Sequence, residues 1–178
     1  AEKVAMFDDF TLLDFILAQE DRLNQESGDK EQESAAEAIE NNIRKKVVQK
    51  IVINPAYYSK MSEVLEQLIL DRKRGVVAYK QLLARYLELA ENVSTPEKND
   101  RYPESIRKSG AMRAFYDNCG ENEALAIRLH QAVMMSKMDC FRNNPTKENR
   151  IKRALYQILK DDEMVERLYK IVVEQEEY

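Results

Sequence analysis

Glycine and proline are scarce in this chain of 178 residues, at four each, which disfavours a fold dense in tight turns. The four glycines are scattered, and neither G-x-x-x-x-G-K nor G-x-G-x-x-G occurs. The backbone cradle that closes on a nucleotide phosphate is therefore missing, and no ATPase site is expected here. His130 is the only histidine. That rules out multi-histidine metal sites, argues against a Ser-His-Asp device, and leaves a structural or surface role for the ring. No apolar run approaches the roughly 20 residues of a membrane span, and no signal peptide is visible. The chain opens on Ala1 rather than Met, as a piece cut from a longer protein would. Cys119 and Cys140 have no short ligand spacing, so buried reduced thiols, suited to a cytoplasm, are expected rather than a disulfide or a metal pair.

What is present is apolar and charged in ordinary proportion, 44% and 34%. A chain of this length is one domain, or two small ones sharing a core, and buries about 70% of its unfolded surface. Charge is segregated. Residues 1–42 carry 12 acids and 3 bases, residues 44–160 carry 13 and 23, and the last eighteen carry 7 and 2. The overall charge of −4 thus hides a basic middle of net +10 between acidic ends. Such a middle suits nucleic acid or an acidic partner, unless the acidic ends fold back over it.

Helical periodicity dominates. Phe7 to Leu17 reads as a short apolar helix capped by Asp9 or Thr11, and residues 20–33 read as a polar loop or linker. Ser34 with Glu37 has capping-box spacing and opens a helix through Ile39, Ile43, Val47 and Ile51. The β-branched residues 47–53 suit a strand by propensity alone, but the steps of four favour helix. Asn54 and Pro55 then start a helix whose apolar face is Tyr57, Met61, Val64, Leu65 and Leu68, ending at Gly75. After a short connection, Tyr79, Leu82, Leu83, Tyr86, Ala90 and Val93 form a second stripe, which implies an antiparallel hairpin.

Residues 94–101 are the clearest break, a linker between an N-terminal helical subdomain (1–93) and a C-terminal one (102–178). Beyond it, Ser109, Asn122, Pro145 and Asp161-Asp162 mark four helix starts, Gly120 a stop, and 139–144 a loop. Together these predict an all-α fold, an irregular bundle of about seven or eight helices built from antiparallel helical hairpins.

Carboxylate pairs stand at Asp8-Asp9 and Asp161-Asp162, where capping accounts for them without catalysis. No strand carries the carboxylates and lysine of a metal-dependent nuclease. The direct-function candidates are cations: Arg142, Lys147, Arg150, Lys152, Arg153 and Lys160 crowd one loop and helix, and Arg72-Lys73-Arg74 form a second cluster. They suit partner or phosphate contacts, or simply a solvated face. Most of the nine tyrosines and seven methionines fall on apolar stripes, with Met134, Met135 and Met138 as interface candidates.

The run Asn54-Pro55-Ala56-Tyr57-Tyr58-Ser59-Lys60-Met61-Ser62 resembles the C-terminal helical region of the R (motor and endonuclease) subunit of type I restriction enzymes. So, in the same order, do residues 7–12, Ile39 to Lys45, Tyr102 to Ser105, Ala114 to Asn118, the basic helix Lys147 to Leu159 and the final helix, nearly the whole chain. The structural motif residues are Asn54, Pro55, Tyr57, Tyr58 and Met61. By that resemblance, the fragment is a non-catalytic domain joining the ATP-dependent translocase and endonuclease to the methyltransferase (M) subunit, in a bacterial or archaeal cytoplasm. Residues 1–93 then adjoin the preceding motor region. ATP, Mg2+ and DNA cleavage belong to the parent, and no catalytic, cofactor-binding or metal-binding residue carries over. The rival reading is a helical nucleic-acid-binding module using the basic middle; a third, an unrecognised helical enzyme, needs a pocket of perturbed acids.

Overall fold

A computed structural model describes residues 8–23 and 28–178. Among them every regular element is helical: α1 (Asp9–Arg22), α2 (Asp29–Lys50), α3 (Pro55–Lys73), α4 (Tyr79–Ser94), α5 (Glu104–Arg107), α6 (Gly110–Asn118), α7 (Glu123–Ser136), α8 (Pro145–Leu159) and α9 (Asp162–Val173), with a 3-10 turn at Pro96–Lys98. The all-α expectation holds. The chain forms two compact units, one of residues 1–49 and 58–96, the other of residues 50–57 and 97–178.

In the first unit α1 packs along α4, burying Leu12 and Ile16. Its cap is Asp8, not Asp9 or Thr11: the Asp8 carboxylate accepts from the Thr11 amide at 2.7 Å. Phe7 lies outside the described residues. The polar stretch 20–33 is shorter as a loop than expected, because α1 runs to Arg22 and α2 begins at Asp29. Ser34 therefore lies inside α2 and caps nothing. Gly28 receives the first amide bonds, and Asp29 and Glu31 place negative charge at the positive end of the helix dipole. Residues 47–50 are helical, so the steps of four prevail over β-propensity, and the chain turns at 51–53.

α3 runs antiparallel to α4, with the Tyr58 hydroxyl donating to the Val93 carbonyl at one end and Asp71 facing Arg85 at 3.9 Å at the other. The expected hairpin is present. Its face is rotated slightly from the expected one: Tyr58 and Ile69 are buried beside Leu65 and Leu68, Met61 is half-buried, and Val64 is exposed. Val64 instead lines a shallow groove of 390 Å³ with Met61, Leu68 and Leu89. Gly75, at φ +66°, ends the helix in the left-handed conformation that glycine adopts without strain.

The second unit is a ring of helices. α6 packs on α7, α7 on α8, α8 on α9, and α9 back on α6, with α5 against α6 and α7. Phe115, Leu129, Val133, Ile151, Leu155, Leu168 and Val172 fill its centre. Ser109, Asn122, Asn144 and Asp161 each cap the helix that follows, as their residue types predict. Pro145 sits at the start of α8, where its missing N–H is harmless.

Candidate functional site

Three of the sequence stretches singled out above, at Asn54, Tyr102 and Ala114 to Asn118, meet at Asp117, in the last turn of α6. Its side chain is 1% exposed. One carboxylate oxygen takes the Arg101 guanidinium; the other takes the Tyr102 hydroxyl and, at 2.7 Å, the Asn54 amide. Asn54 is also the cap expected for α3: its Oδ1 accepts from the Tyr57 amide at 3.3 Å and from Asn118 Nδ2 at 2.9 Å. Asn118 Oδ1 accepts in turn from the Ala56 amide at 3.3 Å.

Aromatic groups cover this polar knot. The Tyr57 and Tyr102 rings lie 6.0 Å apart, and Tyr116 meets Tyr102 edge-on at 5.9 Å. The Arg101 guanidinium carbon lies 5.5 Å from the Tyr57 ring centre and 5.1 Å from that of Tyr102. Burial, reinforced by donation to Asp117, pushes the Tyr102 hydroxyl far above the ordinary phenol range. Both Asp117 oxygens hold donors from other segments, so the arrangement acts as a lock between chain segments. Tyr57 belongs to it and Pro55 lies in the same unit, whereas Tyr58 and Met61, further along the same motif, pack in the first unit.

A second lock sits in the first unit, again on a resembling stretch. Glu40, only 4% exposed, receives Arg72 through two nitrogens at 2.6 and 3.0 Å and also the Tyr86 hydroxyl. One carboxylate thereby joins α2, α3 and α4. Arg72, expected with Lys73 and Arg74 as a cluster for partner or phosphate contacts or a solvated face, is instead a fork-shaped strut.

The basic cluster of the second unit is largely occupied within the fold. Arg142 donates to the carbonyls of Val173, Gln175 and Tyr178 at 2.8, 2.7 and 3.1 Å, fastening the last residues. Lys147 Nζ binds the Asp139 carbonyl at 2.6 Å. Lys152 pairs with Glu166 at 2.9 Å and lies 4.8 Å from the Tyr169 ring centre. Arg150 approaches the Met138 sulfur at 3.8 Å, and Arg153 is exposed. These residues thus divide between bracing the unit and lining its surface.

His130 faces Tyr178, its Nδ1 2.6 Å from the phenol oxygen and the rings 5.4 Å apart. Burial holds the imidazole below its ordinary value, with Glu177 opposing. The cysteines differ from expectation in one respect: Cys119 is buried, its thiol pushed up by burial to about 11, but Cys140 is exposed. Both are free thiols, and Cys140 sits at φ +55° in the α7–α8 loop, which turns it toward solvent. Met134, Met135 and Met138 are exposed as well. Asp8 and Asp161 act as caps, and among the described residues no three histidine, cysteine or carboxylate side chains gather as a metal group. None of the described helices is long and apolar enough to cross a membrane.

Sequence reasoning missed Asp117, Arg101 and Glu40 as keystones. A lone carboxylate near a helix end, or within a helix, carries no local signal of a partner dozens of residues away. Comparison of the chain with protein-family models, with curated proteins and with solved structures finds no match.

Proposed function

We propose that this chain is a non-catalytic assembly domain of a type I restriction enzyme R subunit, docking the DNA translocase and endonuclease onto the methyltransferase M subunit. One observation carries the reading. The resembling stretches supply Glu40, Asn54, Tyr102 and Asp117, the residues that lock the helices of each unit together. Motif residues that hold shape, rather than doing chemistry at a cleft, suit a module that presents a rigid surface. The cations point the same way, because Arg72, Arg142, Lys147 and Lys152 brace the fold. On this reading ATP and Mg2+ serve the parent protein, DNA is met by the whole complex, and the setting is a bacterial or archaeal cytoplasm.

The test is sedimentation of the chain with the methyltransferase core of the same restriction system. Co-sedimentation at low micromolar concentration is the expected result. Absence of association, joined to duplex-DNA binding that falls by orders of magnitude as salt rises from about 50 to 200 mM, would sink docking in favour of a nucleic-acid-binding module.

A further inference from the structure

Three large apolar side chains are exposed at the end of α7 and just beyond it. Met134, Met135 and Met138 are 47%, 83% and 45% exposed. They do not belong to a fraying end. Lys137 donates its amide to Val133 at 2.8 Å as the helix stops, and Ser136 Oγ donates to the Ala132 carbonyl at 2.6 Å. Lys147 grips the Asp139 carbonyl, and Arg150 lies on the Met138 sulfur, so α8 holds the following loop in place.

The charge near the methionines is mixed, with cations in the majority. Arg150 Nη1 lies 3.8 Å from the Met138 sulfur, Lys147 holds the Asp139 carbonyl next to it, Lys137 directly precedes Met138, and Arg128 lies two turns before Met135 on the same helix face. Asp139 is the carboxylate within the loop itself, and Glu177 acts on His130, one turn before Met134 on α7. Methionine is unbranched and polarizable, so it moulds to apolar partners, and methionine with arginine is enriched at interface centres. The surrounding cations select the sign of what approaches. A phosphate backbone would find cations here but thioethers at the centre, where it has nothing apolar to bury.

Resting on the docking reading for the existence of a protein partner, we propose that this methionine face binds an acidic partner segment bearing exposed leucine or phenylalanine side chains. Apolar atoms from the partner cover the thioethers while its carboxylates meet Arg128, Lys137 and Arg150.

The full chain carrying 13C-methyl methionine reports this face directly, since the sequence holds seven methionines. A synthetic amphipathic peptide of alternating Glu and Leu positions is titrated in. The Met134, Met135 and Met138 methyl signals are expected to shift, with those of Met61, Met112 and Met164 unmoved. Replacing the peptide's Glu by Lys, or its Leu by Ser, should weaken binding by about tenfold or more, as should the protein double variant Met135→Glu/Met138→Glu. Unmoved signals, uniform shifts, or equal shifts with duplex DNA or anionic phospholipid vesicles would overturn the inference.

The same double variant then enters the sedimentation experiment with the methyltransferase core. Loss of co-sedimentation supports this face. Retention by both proteins overturns it and leaves docking standing. Peptide binding at the methionines without association of the unaltered chain with the methyltransferase defeats the restriction-enzyme reading and keeps the acidic-segment assignment.

Discussion

Asn54 Nδ2 donates to Asp117 Oδ2 at 2.7 Å, joining positions 63 residues apart in the chain. Asn54→Ala removes this donor and the α3 cap together and should cost about 1–2 kcal/mol. Asp117→Ala leaves Arg101, Tyr102 and Asn54 without their acceptor and should cost about 2–3 kcal/mol, the guanidinium being partly relieved by water. Because the two side chains share one network, the double variant should lose less than the sum. Urea denaturation with midpoints unchanged in both single variants would remove the lock from this account.

Glu40 and Arg72 offer a sharper contrast. Glu40→Gln leaves a guanidinium whose side chain is only 12% exposed with just the exposed Glu33 carboxylate, 3.7 Å away, as counter-charge, at a cost of about 3 kcal/mol. Tyr86→Phe deletes only a donor to the carboxylate and should cost about 1.5–3 kcal/mol. Glu40→Met combined with Arg72→Met should recover much of the loss, since a buried pair exchanged for well-packed apolar groups is often neutral. A double-mutant cycle by urea denaturation measures the coupling, and a vanishing coupling energy would contradict the bidentate geometry.

His130 gives the second unit a pH dependence of known sign. Burial lowers its folded-state value, Glu177 opposing, so the unfolded chain binds the proton more readily. Its contribution is complete above the unfolded value of about 6.5 and is lost as pH falls through the lower folded value. The unaltered protein should therefore lose more stability between about pH 7 and pH 5 than His130→Gln does. Parallel pH profiles for the two proteins, from urea midpoints, would show that the ring is not held as the Tyr178 contact implies.

Much of the helical skeleton is legible in the sequence because caps and stripes are local. Asn54-Pro55, Ser109, Asn122, Asn144-Pro145 and Asp161 each satisfy amides within three residues, so their meaning needs no distant partner. The failures are local as well. Residues 29–33 are polar because that turn of α2 faces water, and polarity alone resembles a loop. Val64 sits on the expected stripe, but the groove beside α4 leaves it uncovered.

The sequence by itself determined that this chain is helical, where most helices start, and that its apolar faces must pair, since amides, dihedral preferences and the 3.6-residue period act over a few residues. Only the tertiary structure decided which charges are surface and which are struts. Arg72 and Arg142 look like Lys73 and Arg153 along the chain, but two of them find buried or backbone acceptors across many residues and two stay in water. Residues 50–57 likewise join the second unit although they lie between helices of the first, because Asn54 and the Ile53 carbonyl find their partners in Asp117 and Gln175. Desolvation is the reason: a polar group removed from water is held wherever its partner is, and the partner's position is a property of the fold.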